Sequence, residues 1–219
     1  MNYVSFIHAF SFSFFCYTAV QIVLYCVMLF CVVLCCGKEL GGNAPFIVFA
    51  DADIDQAVNA ACDSKFRNAG QTCVCADRFL IHKSIEEEFI SKLVTRVSKI
   101  KVGSGLTDKV SLGPLITTNA AHAVKSKIEN AVSDGGECIY GGSFLSDLGA
   151  NFLEPTIVRN VKRSSSLWNT ETFGPVIAIS TFETDEEAVE IANDTSSGLA
   201  SYVCSTNLKR VFQISGRYD

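Results

Sequence analysis

Residues 1–36 contain no Asp, Glu, Lys or Arg. Charge begins at Lys38 and from there makes up roughly a fifth of the chain, the ordinary density of a globular domain. Proline is scarce, with four in 219 residues, and the sequence has neither an internal repeat nor a low-complexity tract. This composition excludes a disordered, collagen-like or disulfide-scaffold protein. A basic excess is missing too. With 18 Lys and Arg against 23 Asp and Glu, the net charge of −5 attracts no phosphate backbone, which excludes a nucleic-acid partner in the absence of a local basic patch. No Cys-x-x-Cys pair occurs, and His8, His82 and His122 stand apart, so the pattern for a structural metal is absent and the ten cysteines read as reduced thiols.

What is present divides at residue 38. The leader carries Cys16, Cys26, Cys31, Cys35 and Cys36, and its 24 uncharged residues from Ser13 to Cys36 are long enough to cross a bilayer as a helix. It lacks the basic n-region and cleavage site of a secretory signal and the arginine of a transit peptide. Three readings follow for 1–38: a membrane anchor, an uncleaved export signal, or non-native translated sequence.

Beyond it, short apolar runs alternate with amphipathic stretches. Phe46 to Phe49 reads as a buried strand, and Asp51 or Asp53 offers an N-cap to a helix striped by Ile54, Val58, Cys62 and Phe66. Phe79 to Ile81 is strand-like, and Ser84 with Glu87 forms a capping box for a helix on Ile85, Phe89, Leu93 and Val97. A helix is expected over Asn119 to Ser133 and stops at Gly135-Gly136. Strands are expected at Ile139-Tyr140, Thr156 to Val158, Val176 to Phe182 and Ser201 to Cys204, and a second capping box, Thr184 with Glu187, opens a helix to about Ala192. The alternation predicts an α/β domain with a mostly parallel sheet and flanking helices, preceded by an apolar N-terminal helix.

One segment invites chemistry. Lys65-Phe66-Arg67-Asn68-Ala69-Gly70-Gln71-Thr72-Cys73-Val74-Cys75 joins the first helix to the second strand, at a sheet edge of the kind where α/β proteins place their sites. Most free cysteines are buried hydrophobes, but Arg67 supplies a nearby cation and Gly70 backbone freedom, which suit Cys73 as a nucleophile. Neither His82 nor His122 has a third group to orient it, so a carboxylate is the remaining base, and Glu39, followed by Gly41-Gly42-Asn43, offers one.

Three blocks together, Glu39 to Asn43, Arg67 to Cys73 (its Cys 34 residues after the Glu) and Glu171-Thr172-Phe173-Gly174-Pro175-Val176, resemble the signature segments of the aldehyde dehydrogenases. Gly113 to Ile116, Glu154-Pro155-Thr156 and Ile191-Ala192-Asn193 follow the order of that family, and the residues flanking Cys73 are similar to the succinate-semialdehyde branch. The resemblance runs from Glu39 to about Ser215 and makes 39–219 a partial catalytic domain. It implies that Cys73 attacks an aldehyde carbon, that hydride passes to NAD or NADP, and that Glu39 activates the water which hydrolyses the thioester. It further implies that Glu171 holds the nicotinamide ribose, Phe173 lies beside the nicotinamide, and Arg67 clamps the distal carboxylate of succinic semialdehyde. Cys75, as an exposed neighbouring thiol, would form a reversible disulfide with Cys73. By resemblance the site is mitochondrial or cytoplasmic.

The chain also departs from the family. The dinucleotide-binding half, the oxyanion-hole Asn and the C-terminal oligomerisation arm have no counterpart in the sequence, and Asp77 stands where Asn is usual, read as a minor change. Inactivity of the chain on its own is therefore expected. An anchor ending at Cys36 would hold Glu39 within about 10 Å of a bilayer, which conflicts with an interdomain cleft and favours non-native sequence for the leader. The alternative is a membrane-anchored, non-catalytic relic serving as a binding module, with a membrane partner reached through 13–36.

Overall fold

The computed structural model describes residues 4–7 and 41–217. The apolar segment 13–36 and Glu39 lie outside the described residues, and among the described residues no helix is long and apolar enough to cross a membrane.

The elements in chain order are β1 (Val4–Ile7), β2 (Ala44–Val48), α1 (Ile54–Phe66), a 3-10 turn (Arg67–Gly70), β3 (Ala76–His82), α2 (Glu86–Val97), α3 (Thr118–Ser133), β4 (Glu137–Tyr140), β5 (Thr156–Arg159), α4 (Ser166–Asn169), β6 (Val176–Phe182), α5 (Asp185–Asn193), β7 (Ser201–Cys204) and α6 (Leu208–Ser215). The sheet order is β1-β7-β2-β3-β6-β5-β4. The five central strands are parallel, and β1 and β4 run antiparallel at the edges.

Strand alternation builds two cores. Phe46, Val48, Phe79, Ile81, Ile177 and Ile179 point to one face, where α1 and α2 cover them. Ile47, Leu80, Val158, Val176, Ala178 and Val203 point to the other, under α3, α4, α5 and α6. Because both faces are buried, the strands read as unbroken apolar runs, as parallel sheets covered by helices do. The α/β architecture with a mostly parallel sheet and flanking helices is thus the observed one.

Local signals succeeded where the cap lay close to its helix. Asp53, not Asp51, caps α1 by accepting from the Gln56 N–H, and Thr184 caps α5 by accepting from Glu187. The Ser84–Glu87 box does not form. His82 opens a 3-10 turn, Lys83–Ile85, by accepting the Ser84 N–H, while the Glu87 carboxylate is drawn to Arg159 at 3.0 Å.

Asp51 has another task. Its carboxylate accepts from the Ser205 hydroxyl at 2.8 Å, the Thr206 N–H at 3.0 Å and the Asn207 N–H at 2.9 Å, and pairs with Arg210 at 2.6 Å. This knot docks the β7–α6 turn onto the turn after β2. Burial pushes the carboxyl up, but the Ser205 and Thr206 hydroxyls, the Arg210 charge and the Asn207 N–H outweigh it and hold the group below the usual aspartate range. A depressed folded pKa contributes stability that is complete above the unfolded value of about 3.9 and is lost as pH falls through the folded value. Asp51→Asn should therefore lower urea stability at pH 7 by about 1–3 kcal/mol, with the difference from wild type shrinking as pH falls below the unfolded value of about 3.9. A difference independent of pH would contradict this assignment.

Candidate active site

Four loops meet at the amino ends of the parallel strands. Gly41-Gly42-Asn43 leads into β2, the Cys73 turn into β3, Glu154-Pro155 into β5 and Glu171 to Pro175 into β6. The sheet-edge expectation is corrected in this respect: α/β sheets commonly place ligands at the carboxyl ends of their strands, and these segments gather at the opposite end.

The turn that carries Cys73 is an unusual piece of backbone. Asn68, Ala69 and Gly70 are all left-handed, with φ of 50°, 56° and 75°. Only glycine adopts that region without penalty, and an alanine there costs on the order of 1 kcal/mol. Side chains fix it from within. The Asn68 amide donates to the Gln71 carbonyl at 3.0 Å, and the Gln71 amide donates back to Asn68 at 3.1 Å and to the Pro114 carbonyl at 3.3 Å. Gln71 Oε1 accepts the Ile116 N–H at 2.8 Å, so the Gly113 to Ile116 block is stitched to the cysteine turn.

Gly42 joins the first, second and third blocks. A Cβ at this position would collide with the Cys73 carbonyl oxygen, while its N–H donates to Glu171 Oε1 at 2.9 Å. Gly70 likewise leaves no room for a side chain against the Gly174 carbonyl. Cys73 itself is partly exposed, and Glu171 and Phe173 are half-buried, with Phe173 left-handed at φ 47°. Arg67 is exposed at the end of α1 and lines a cavity of about 360 Å³. Cys73, Glu171 and Phe173 thus lie on loops that touch.

Cys75 corrects one expectation. It is not exposed: only 3% of it reaches solvent, and its sulfur sits 2.7 Å from the Thr72 hydroxyl. The neighbouring Val74 carbonyl is held by the Tyr202 hydroxyl at 2.6 Å, a phenol that burial pushes above its ordinary pKa and keeps neutral.

The roles of several residues behind the site escaped the sequence reading. Lys65, fully buried, closes α1 with its ammonium 2.5 Å from Asp77 Oδ1, and Asp77 Oδ2 accepts the Thr172 N–H at 3.4 Å. Asp77 in place of Asn is therefore no minor change, because among the described residues it supplies the only formal counter-charge bonded to a lysine removed from water. Lys127 on α3 donates to the Thr170 carbonyl at 3.2 Å and the Glu171 carbonyl at 2.6 Å. Burial, with the Lys65 charge adding to it, pulls this ammonium below the usual lysine range against the attraction of Asp77 and Glu171. Arg78, wholly buried, donates to the carbonyls of Asn43 at 3.0 Å and of Ile191 and Ala192 at 2.8 Å each, tying the Gly-Gly segment to the end of α5. A buried charge next to a signature segment is a signal the sequence does offer at Lys65 and Asp77, though not which partner each finds.

The glycine contact yields a comparison of variants. Gly42→Ala should cost about 1–3 kcal/mol of stability and change the alkylation rate of Cys73 by iodoacetamide several-fold. Gly113→Ala, where a Cβ meets nothing within 4 Å, should leave both nearly unchanged. Equal effects of the two substitutions would contradict the contact.

Comparison with known proteins identifies the relatives of this chain. The model of the aldehyde dehydrogenase family matches residues 35–219. Succinate-semialdehyde dehydrogenase [NADP(+)] 1 of Schizosaccharomyces pombe is 47% identical over 176 residues, 80% of this chain and 35% of that protein. Glutarate-semialdehyde dehydrogenase of Pseudomonas putida is 44% identical over 177 residues, 81% of this chain and 36% of that protein. The crystal structure of succinate-semialdehyde dehydrogenase from Burkholderia pseudomallei superposes with a TM-score of 0.81 at 42% identity, covering 90% of this chain and 41% of that one. The chain spans about a third of the length of the curated relatives it matches. With its signature segments meeting at Gly42 and a family match across residues 35–219, this chain belongs to the aldehyde dehydrogenase family.

Proposed function

We propose that this chain carries the thiol and acyl-transfer machinery of an NAD- or NADP-dependent aldehyde dehydrogenase acting on a short semialdehyde with a distal carboxylate, succinic semialdehyde foremost. The observation that supports the reading best is Gly42, which packs on the Cys73 backbone while its N–H holds the Glu171 carboxylate. The named relatives act on succinic and glutaric semialdehydes, both of which end in a carboxylate.

The residues present fit a dinucleotide. One Glu171 oxygen is engaged by the Gly42 N–H, and a carboxylate so anchored retains lone pairs for a pair of vicinal hydroxyls. Bound NAD or NADP would supply the hydride acceptor. Phe173, turned left-handed between Thr172 and Gly174, offers an aromatic face beside it.

In the proposed sequence the Cys73 sulfur, as thiolate, adds to the aldehyde carbon. Loss of hydride from that carbon leaves an acyl thioester on Cys73. Glu39 takes a proton from water, the water oxygen attacks the acyl carbon, and the Cys73 sulfur departs as thiolate with release of the acid. Arg67 orients the substrate through its far carboxylate, since a guanidinium fork pairs with a carboxylate bidentately. A two-electron oxidant such as a peroxide would join Cys75 to Cys73 in a reversible disulfide, taking up the two electrons and the two thiol protons, and for this the Cys75 sulfur must first leave the Thr72 hydroxyl.

The test joins the chain to the dinucleotide-binding half of the fission-yeast relative. The joined protein should reduce NAD or NADP with succinic semialdehyde, whereas the 219-residue chain alone should give no detectable turnover. Cys73→Ser should lower the joined enzyme's rate by about 10³-fold or more, and Cys75→Ser should spare turnover while removing its reversible loss under mild oxidation. Turnover undiminished in Cys73→Ser would sink the reading.

A further inference from the structure

Behind the site, Lys127 is the charged group that touches the main chain of Glu171 itself. Its Nζ donates to two successive carbonyls, of Thr170 at 3.2 Å and of Glu171 at 2.6 Å, from a half-buried position on α3. Val124, one turn earlier on the same helix, packs on Gly174, where a Cβ would lie 2.6 Å from its Cγ2. Helix α3 therefore grips the Glu171 loop at both ends. We propose that Lys127 is a positioning residue for the dinucleotide: by clamping the Thr170 and Glu171 carbonyls it fixes the Glu171 carboxylate against Gly41 and Gly42, and so sets the affinity for the nicotinamide ribose.

The Glu171 side chain is stretched between two anchors. On one side Oε1 accepts the Gly42 N–H at 2.9 Å, and Oε2 lies so near Gly41 that a Cβ there would be 2.7 Å away. On the other side the carbonyl of the same residue hangs on the Lys127 ammonium. The next hold along the loop, from the Thr172 N–H to Asp77 Oδ2, is long at 3.4 Å. Phe173 then turns left-handed at φ 47°, a conformation that a bulky residue keeps only where its surroundings over-determine it. Without the ammonium the loop is free to relax, and the carboxylate withdraws from the glycines. Binding groups tolerate little of this, since they must stay within about 0.5 Å of their working geometry.

The charges around the clamp balance. Lys127 faces Lys65 of α1, Asp77 of β3 and Glu171 of its own loop, so two cations meet two anions. Burial pulls the ammonium toward its neutral form, and Asp77 is the strongest of the charges that oppose this. The aspartate that stands where Asn is usual thus supports the charge on both lysines. The proposal rests on the dehydrogenase reading only for the identity of the ligand.

Hydrogen exchange on the full 219-residue chain tests the clamp with no cofactor present. The Gly42 N–H is the reporter, because it is bonded to the Glu171 carboxylate and lies on a different element from Lys127. Lys127→Met should speed its exchange by about tenfold or more, while the amides within β3 and β6 keep their wild-type rates. Lys127→Gln, uncharged and one bond shorter, should behave as Lys127→Met, and Lys127→Arg, which keeps a cationic donor, should restore protection. In the joined enzyme described above, Lys127→Met should raise the KM for NAD or NADP by about tenfold while the KM for succinic semialdehyde stays within about twofold. Gly42 protection or a dinucleotide KM equal to wild type in Lys127→Met would overturn the proposal. So would exchange that rises uniformly through β2, β3 and β6 and is not relieved by Lys127→Arg, which would make Lys127 a structural residue only. Absence of turnover in the joined wild-type protein would count against the dehydrogenase reading, and the Gly42 exchange would still decide the clamp, so the two failures can be told apart.

Discussion

A lysine and an aspartate withdrawn from water hold the candidate site together. Lys65 ends α1 and Asp77 begins β3, and everything between them is the turn that bears Cys73. The pair closes that turn at its base, and the second Asp77 oxygen reaches the Thr172 N–H, which brings the Glu171 segment to the same place. Burying two charges is expensive, and their attraction offsets the cost only when geometry and added hydrogen bonds are good. Such a pair is weak as a source of stability and strong as a constraint, because removing either partner strands the other.

Around this base the backbone approaches more closely than side chains allow. Gly42 lies on the Cys73 carbonyl and Gly70 on the Gly174 carbonyl, and a methyl group at either would push two signature segments apart. The left-handed Asn68, Ala69 and Gly70 reverse the chain so that it re-enters the sheet one strand over. Conformational cost at Ala69 is tolerated because Gln71 locks the turn to Pro114 and Ile116. Packing, hydrogen bonding and electrostatics therefore act on the same loops.

Much of this was legible in the sequence, and the failures have physical causes. The parallel strands announced themselves because both faces are buried, α3 because its apolar stripe ends at the Gly135-Gly136 stop, and α5 because its cap, Thr184, lies within one turn of the donor it satisfies. The Ser84–Glu87 box failed because Arg159, remote in sequence, competes for Glu87. Helix α6 was missed since its docking depends on Asp51, more than 150 residues earlier. At the site, Cys73 and Arg67 were named from their local chemistry and Glu171 and Phe173 from motif alone, and the loops that carry Cys73 and Glu171 do converge. Lys127 and Arg78 were not named, and Asp77 was named only as a minor departure, because a buried charge is recognised only through its partners, and those lie on other elements.

The central claim is that the buried Lys65–Asp77 pair sets the geometry of the cysteine turn. A double-mutant cycle with Asp77→Ala, Lys65→Met and both together, read by urea unfolding, tests it most directly. The account predicts a loss of about 3–5 kcal/mol for Asp77→Ala alone, with most of it recovered in the double variant, where no unpaired charge remains. Additive losses, or a single-variant cost below about 0.5 kcal/mol, would contradict it.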